Sequence, residues 1–198
     1  MIKKHYILLA SLLCFGAAKA QEDPAASASV EKSLFNVQAG AIGIYASNES
    51  RLSDRWALRT EVGLDLWFYE TFNWNSWEES DKGSFLAPSI SIEPRWYYNL
   101  KKRANKGKHI ENNSANFVTL AVKYYPDLFK IGGPDQLYIP NQMSFIPKWG
   151  IRRAIAKSNF NYEAGIGVGY LWYISDNNIY RDQSDVALDI HLRLGYTF

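Results

Sequence analysis

The last fourteen residues constrain this chain most. From Asp185 to Phe198, one face carries Val186, Leu188, Ile190, Leu192, Leu194, Tyr196 and Phe198, and the opposite face Asp189, His191, Arg193, Gly195 and Thr197. Successive side chains of an extended strand point to opposite sides, so only period two sorts these residues; a helix would mix them. A row this long and this apolar needs a covering, either another layer of protein or lipid.

The same sorting recurs three times. From Trp56 the apolar row is Trp56, Leu58, Val62, Leu64, Leu66 and Phe68, with Thr60 within it, against Ala57, Arg59, Glu61, Gly63 and Asp65. From Phe85 to Tyr98 it is Leu86, Pro88, Ile90, Ile92, Pro94, Trp96 and Tyr98, against Ser89, Ser91, Glu93 and Arg95. From Phe160 to Ile174 it is Phe160, Tyr162, Ala164, Ile166, Val168, Tyr170, Trp172 and Ile174, against Asn161, Glu163, Gly165, Gly167 and Gly169. Three weaker segments join them. Leu34 to about Leu52 slips phase near Gly40, which suggests a bulge. Asn116–Tyr124 has Lys123 opposite Val118, Leu120 and Val122. Gln142 to about Arg153 sets Phe145, Pro147, Trp149 and Ile151 against Ser144, Lys148 and Arg152.

Tight turns are predicted at Ser53-Asp54 and Ala156–Asn159, and longer loops at Tyr69–Ser84, Pro126–Asn141 and Ser175–Ser184. Asn99–Ser114 is long and lysine-rich, yet falls on the side of the short turns. Seven segments are legible, whereas single-chain barrels carry an even number of strands. Eight are therefore expected. The missing one hides in the polar N-terminal segment or is merged into the first segment near Gly40; otherwise the N-terminus threads the lumen.

The N-terminus reads as an export signal. Lys3 and Lys4 precede an apolar run from Ile7 to Ala18, and Ala18-Lys19-Ala20 supplies small residues for cleavage before Gln21. That run is shorter than the roughly 20 residues a membrane helix needs, and no other segment is apolar and long enough to be one. Cys14, the single cysteine, lies within it behind Leu13, which excludes a lipoprotein signal; a processed chain has no thiol chemistry. Processing also removes three lysines from 22 basic residues against 20 acidic ones, leaving a near-neutral balance that offers nothing to nucleic acid. The expected organisation is a signal peptide over 1–20, a flexible segment over 21–33 and a β-barrel over 34–198. Its fold class is all-β, an antiparallel up-and-down transmembrane barrel of eight strands.

Alternation alone also fits a soluble, ligand-binding barrel with the apolar row inside. Two features favour lipid outside. Aromatics on the apolar row gather near strand ends, Trp56, Trp96 and Trp149 at one and Tyr170 and Trp172 at the other, as in the girdles at membrane interfaces. The polar row mixes both signs with glycine: Arg59, Glu61, Asp65, Glu93, Arg95, Lys148, Arg152, Glu163, Asp189 and Arg193 are expected to pair inside a narrow lumen. Gly165, Gly167 and Gly169 would leave room for such side chains.

Four stretches carry a resemblance: Arg51-Leu52-Ser53-Asp54-Arg55-Trp56-Ala57-Leu58-Arg59, Glu93-Pro94-Arg95-Trp96-Tyr97-Tyr98-Asn99-Leu100, Tyr162–Tyr170 with its alternating glycines, and the end Tyr196-Thr197-Phe198. They resemble the small outer-membrane β-barrel proteins of Gram-negative bacteria, similar in architecture to the membrane domain of outer-membrane protein A. The resemblance covers most of residues 34–198. It implies location in the cell outer membrane and contact with its lipid and lipopolysaccharide. It also implies recognition of Tyr196 and Phe198 by the barrel-assembly machinery, and a monomer. It implies no single activity, since such barrels serve as anchors, adhesins, narrow pores and lipid-modifying enzymes.

The sharpest enzymatic candidate is His191, flanked on its face by Asp189 and Arg193, with Glu163 on the neighbouring strand. A histidine base oriented by a carboxylate and activating Ser175 or Ser184 would resemble the hydrolytic sites of lipid A deacylases and acyltransferases. Those serines stand at the strand's far end, roughly 20 Å away at about 3.3 Å per residue, so a histidine within a lumenal charge network is the favoured reading. No cofactor is expected, and no metal: only His109 and His191 outlast processing, and they lie apart. The run Lys101, Lys102, Arg103, Lys106 and Lys108 suits either acidic headgroups or peptidoglycan, or is a plain solvated turn. Phe72, Trp74 and Trp77 suit a surface partner, or packing against lipopolysaccharide sugars. The favoured function is a non-enzymatic barrel with a salt-bridged, filled lumen, acting in envelope integrity or in surface contact through its outer loops; a lipid A-modifying enzyme and a narrow pore are the alternatives.

Overall fold

A computed structural model describes residues 28–73, 78–135, 137, 139–174 and 184–198. The signal-peptide reading, the cleavage position, Trp74, Trp77 and Ser175 lie outside them. Eight strands follow in chain order: β1 (Ser33–Gly40), β2 (Gly43–Ser53), β3 (Trp56–Asn73), β4 (Glu78–Trp96), β5 (Asn116–Tyr125), β6 (Gln142–Ala154), β7 (Phe160–Tyr173) and β8 (Ser184–Thr197). Each pairs antiparallel with the next, and β8 returns to β1 in a register from Asn36 opposite Thr197 to Gly40 opposite Arg193, closing the barrel. Closure leaves no sheet edge along the seam. Both ends of the described chain stand at one rim, here the terminal rim; the other is the distal rim.

The parity problem resolves at Gly40. What reads as one bulged strand is the β1–β2 hairpin, reversing through Ala41 and Ile42, with Gly40 opposite Gly43. Gly43 holds φ +148°, and a Cβ there would sit 2.3 Å from the Leu64 carbonyl oxygen, so only glycine fits. The reversal flips the outward row from odd positions (Phe35, Val37) to even ones (Ile44, Ala46), which is the phase slip seen in the sequence.

Two predicted loops are corrected. Most of Tyr69–Ser84 is strand: β3 and β4 stay paired from Trp56 opposite Trp96 to Asn73 opposite Glu78. This hairpin rises past its neighbours, because β2 pairs only as far as Asp65. Asn99–Ser114 is not a plain solvated turn. It contains helix α1 (Leu100–Asn105) and a turn at Glu111–Asn113, where Asn112 and Asn113 adopt φ of 53° and 57°, a region asparagine tolerates better than most residues. Leu100 and Tyr97 pack with Val30, Ala57, Ala115 and Phe117 into an apolar cluster across the terminal rim. Val30 belongs to the segment expected to be flexible. It is fully buried, and its N–H donates to the Asp54 carbonyl at 2.9 Å.

The faces sort as the period-two pattern predicts, with charge inside. Val186, Leu188, Ile190, Leu192 and Leu194 on β8 are 60–69% exposed, whereas Arg59, Arg95, Arg152, Glu49 and Glu163 are at most 1% exposed. An eight-stranded barrel is just wide enough for side chains to fill it. Small residues opposite large ones make this possible. Tyr45 stands opposite Gly63, Phe117 opposite Gly150 and His191 opposite Gly165. A Cβ on these glycines would fall 2.4, 2.4 and 2.6 Å from the facing ring.

Candidate functional site

The barrel interior concentrates the chain's chemistry. Its deepest layer is built on β2, β3, β4, β6 and β7. Arg95 donates from Nη1 and Nη2 to the two Glu163 oxygens, each at 2.8 Å, and Arg59 Nη1 donates to Glu163 Oε2 at 3.2 Å. Arg152 Nη1 donates to Glu49 Oε1 at 2.6 Å. The other Glu49 oxygen accepts from the Tyr97 hydroxyl at 2.7 Å and from Asn113 Nδ2 at 2.9 Å, which ties the charge layer to the cap across the rim. Burial, then the neighbouring Glu49 charge, holds the Tyr97 phenol above its ordinary range, so it stays a neutral donor.

Nearer the distal rim the pairs continue. Arg59 also bonds Glu61, and Arg193 Nη1 reaches both Glu61 oxygens at 3.0 and 2.9 Å. Arg193 stacks 3.6 Å from the Tyr45 ring centroid. Lys148 bridges Glu93 at 2.7 Å and Asp189 at 3.2 Å. Lys123 pairs with Asp65 at 2.7 Å, and the Tyr45 hydroxyl donates to the same Asp65 oxygen at 2.7 Å. Six cations (Arg59, Arg95, Lys123, Lys148, Arg152, Arg193) thus face six carboxylates (Glu49, Glu61, Asp65, Glu93, Glu163, Asp189). Buried charges persist only when paired in this way.

All ten residues predicted for the network lie in it. Glu49, Lys123, Tyr97 and Tyr45 were missed. Glu49 and Tyr45 sit on the strand hidden by the β1–β2 merger, so no phase assigned them to the inside. Lys123 stood alone on the polar side of a weak segment. Tyr97 continues the inward row of Glu93 and Arg95 and is fully buried; it was passed over because an aromatic ring carries no charge to mark it as part of the polar row.

His191 lies inside as expected. Its Nδ1 is 2.6 Å from Asp189 Oδ1 and its Nε2 is 3.6 Å from Glu163 Oε1. Both ring nitrogens face carboxylates, and among the described residues no hydroxyl bonds to the ring. Ser184 stands seven residues along β8, at the distal rim. Among the described residues no group of histidines, cysteines and carboxylates is arranged to hold a metal ion; His109 is at the terminal rim, 2.8 Å from Glu111.

The aromatic residues take up the two rims of the outer face. Trp56 and Trp96 stack at 6.1 Å between centroids, and Trp149 Nε1 donates to the Tyr98 hydroxyl at 2.9 Å, all near the terminal rim. Tyr170 and Trp172 are exposed near the distal rim. Tyr196 and Phe198 pack edge to face at 5.0 Å, and Phe198 N–H donates to the Phe35 carbonyl at 3.0 Å. The C-terminal aromatics therefore lie on the outside of the seam. Compared with protein-family profiles, curated proteins and solved structures, the chain finds no match.

Proposed function

We propose that this chain is a monomeric outer-membrane β-barrel of the small Gram-negative kind. In this reading it spans the bilayer with its apolar outer face and has no enzymatic role. It acts in envelope integrity or in surface contact through the β3–β4 hairpin and the other distal loops. One observation carries the reading: the charges are inside and paired, while leucine, isoleucine and valine stand on the outside. A water-soluble barrel has the opposite arrangement, and contiguous apolar surface on this scale does not stay in water. The aromatic rims fit the two interfaces. Tyr196 and Phe198, exposed along the seam, suit reading by the assembly machinery. The distal loops would meet lipopolysaccharide.

The lumen is read as filled. The Arg59–Glu163–Arg95 layer is buried, and the cap at Tyr97, Leu100 and Val30 lies across the terminal rim. The test of the spanning reading is heat-modifiability of the chain folded into detergent. The unheated band is expected to migrate away from the boiled one, and the protein to resist carbonate extraction from membranes. Coincident bands and a chain that remains in solution without detergent would sink the reading.

A lipid A-modifying reading draws on the His191–Asp189 contact. It lacks a hydroxyl at the histidine among the described residues, so we assign the pair to the wall network. His191→Ala is expected to leave the acylation pattern of lipid A unchanged when mass spectra of the two strains are compared. A changed pattern would restore the enzyme.

A further inference from the structure

Helix α1 and the residues after it do more than cover the terminal rim. On the outer side of the barrel they form a recess of about 440 Å³ against the ends of β5 and β6. Lys102, Arg103, Lys106, Lys108 and Arg153 line it with Tyr98, and no carboxylate does. Among the described residues none of the five cations has an ion-pair partner. The nearby acids are engaged elsewhere: Glu111 with His109, and Asp54 with Lys101 at 3.9 Å.

The two arginines are held in place. Arg103 Nη2 donates to the His109 carbonyl at 2.9 Å, and Arg153 Nη1 donates to the Arg152 carbonyl at 2.6 Å. Arg153 Nη2 is also bonded to Asn116, whose Nδ2 donates to the Tyr98 hydroxyl at 3.1 Å. Arg103 Nε is buried without a partner, and both guanidiniums line the one recess. Like charges held on the wall of one recess, with no acid in its lining, make a site for an anion. Depth along the barrel indicates which anion. Arg153 shares the outward row of β6 with Trp149, two strand repeats closer to the terminal rim, past Ile151, and Trp149 is bonded to Tyr98 on the recess wall. Interfacial tryptophans sit at headgroup level, so the recess opens where lipid phosphates lie.

We propose that this recess binds the phosphate of an anionic phospholipid headgroup in the leaflet at the terminal rim, with Arg103 and Arg153 bracketing the phosphate and Lys102, Lys106 and Lys108 adding long-range attraction. The site rests on the membrane-spanning reading above. Phosphate is the shared chemistry of a lipid headgroup and a free ion; the acyl chains distinguish them, since they would lie against the apolar wall beside Trp149.

The test is native mass spectrometry of the full chain folded in detergent and titrated with phosphatidylglycerol, phosphatidylcholine or inorganic phosphate. The expected result is a single retained phosphatidylglycerol, preferred about tenfold over phosphatidylcholine, because basic residues at a membrane surface attract anionic lipid. The preference should vanish in Arg103→Gln/Arg153→Gln. Should that variant fail to fold, Lys102→Gln/Lys106→Gln/Lys108→Gln, at exposed positions, is expected to lower the preference severalfold. Equal retention of the two lipids overturns the proposal, as does a preference that survives both variants. Inorganic phosphate competing as well as the lipid overturns the lipid source. A heat-shifted barrel without lipid preference removes this site alone, whereas a chain that needs no detergent removes the membrane reading and the site with it.

Discussion

Glu163→Gln is expected to destabilise the barrel by about 3–5 kcal/mol, the scale for removing one partner of a buried, hydrogen-bonded charge cluster. Glutamine keeps the shape of the side chain but not its charge. Arg95 would lose both charged acceptors at 2.8 Å, Arg59 its contact at 3.2 Å, and the amide NH₂ would meet a guanidinium donor. None of these groups reaches water that could substitute. The measurement is urea unfolding in lipid vesicles or detergent, followed by tryptophan fluorescence and by the heat-shifted gel band. Glu70→Gln is the control. Its pair with Lys82, at 2.8 Å, is more than half exposed on both sides, and the change should fall within about 1 kcal/mol. The contrast also tests the lumen. In a water-filled pore, solvent would rescale both pairs to similar small values, and a Glu163→Gln change as mild as Glu70→Gln would favour conduction over a filled wall.

The interior network could be anticipated in the sequence because lipid or protein on one side and packed charge on the other impose strict alternation. Arg59, Glu61, Glu93, Arg95, Glu163 and Arg193 fall in phase along strands whose opposite row is unbroken. The signal fails wherever one of those two environments ends. Beyond Tyr69 the β3–β4 hairpin rises past its neighbours, so neither face has to be apolar and the strands resemble a loop. At Ala41-Ile42 the chain reverses through residues that carry no turn preference of their own, with the cue confined to the flanking Gly40 and Gly43. The slip therefore resembled a bulge, and Glu49 went unassigned. At Asn99–Ser114 the frequent lysines conceal the few residues that matter for closure, Leu100 and Asn113, whose burial follows no periodic row. Sequence periodicity reports the wall of this barrel well and its ends poorly, because the ends are held by individual contacts such as Asn113 to Glu49.

Ile190→Arg separates the two possible surroundings of that wall. Ile190 lies midway along β8, points outward, is 60% exposed, and pairs across to Ile166. In a bilayer this position is near the midplane, where an arginine on the lipid face destabilises a barrel by about 2–4 kcal/mol, falling to about 0–1 kcal/mol near the interfaces. The expected result in lipid vesicles is therefore a large loss for Ile190→Arg and a much smaller one for Val186→Arg, closer to the distal rim on the same outward row. The comparison holds chemistry and strand constant and varies only depth. On a water-facing wall the gradient disappears, since a surface substitution away from special contacts changes stability by no more than about 0.5 kcal/mol, and arginine at Ile190 would even improve solubility by interrupting an apolar row. A depth gradient together with a heat-shifted band assigns the outer face to lipid. Two equal, small effects in a protein that remains dissolved would instead require another covering for the row from Val186 to Leu194, and the interior charges would then have to be explained without a membrane.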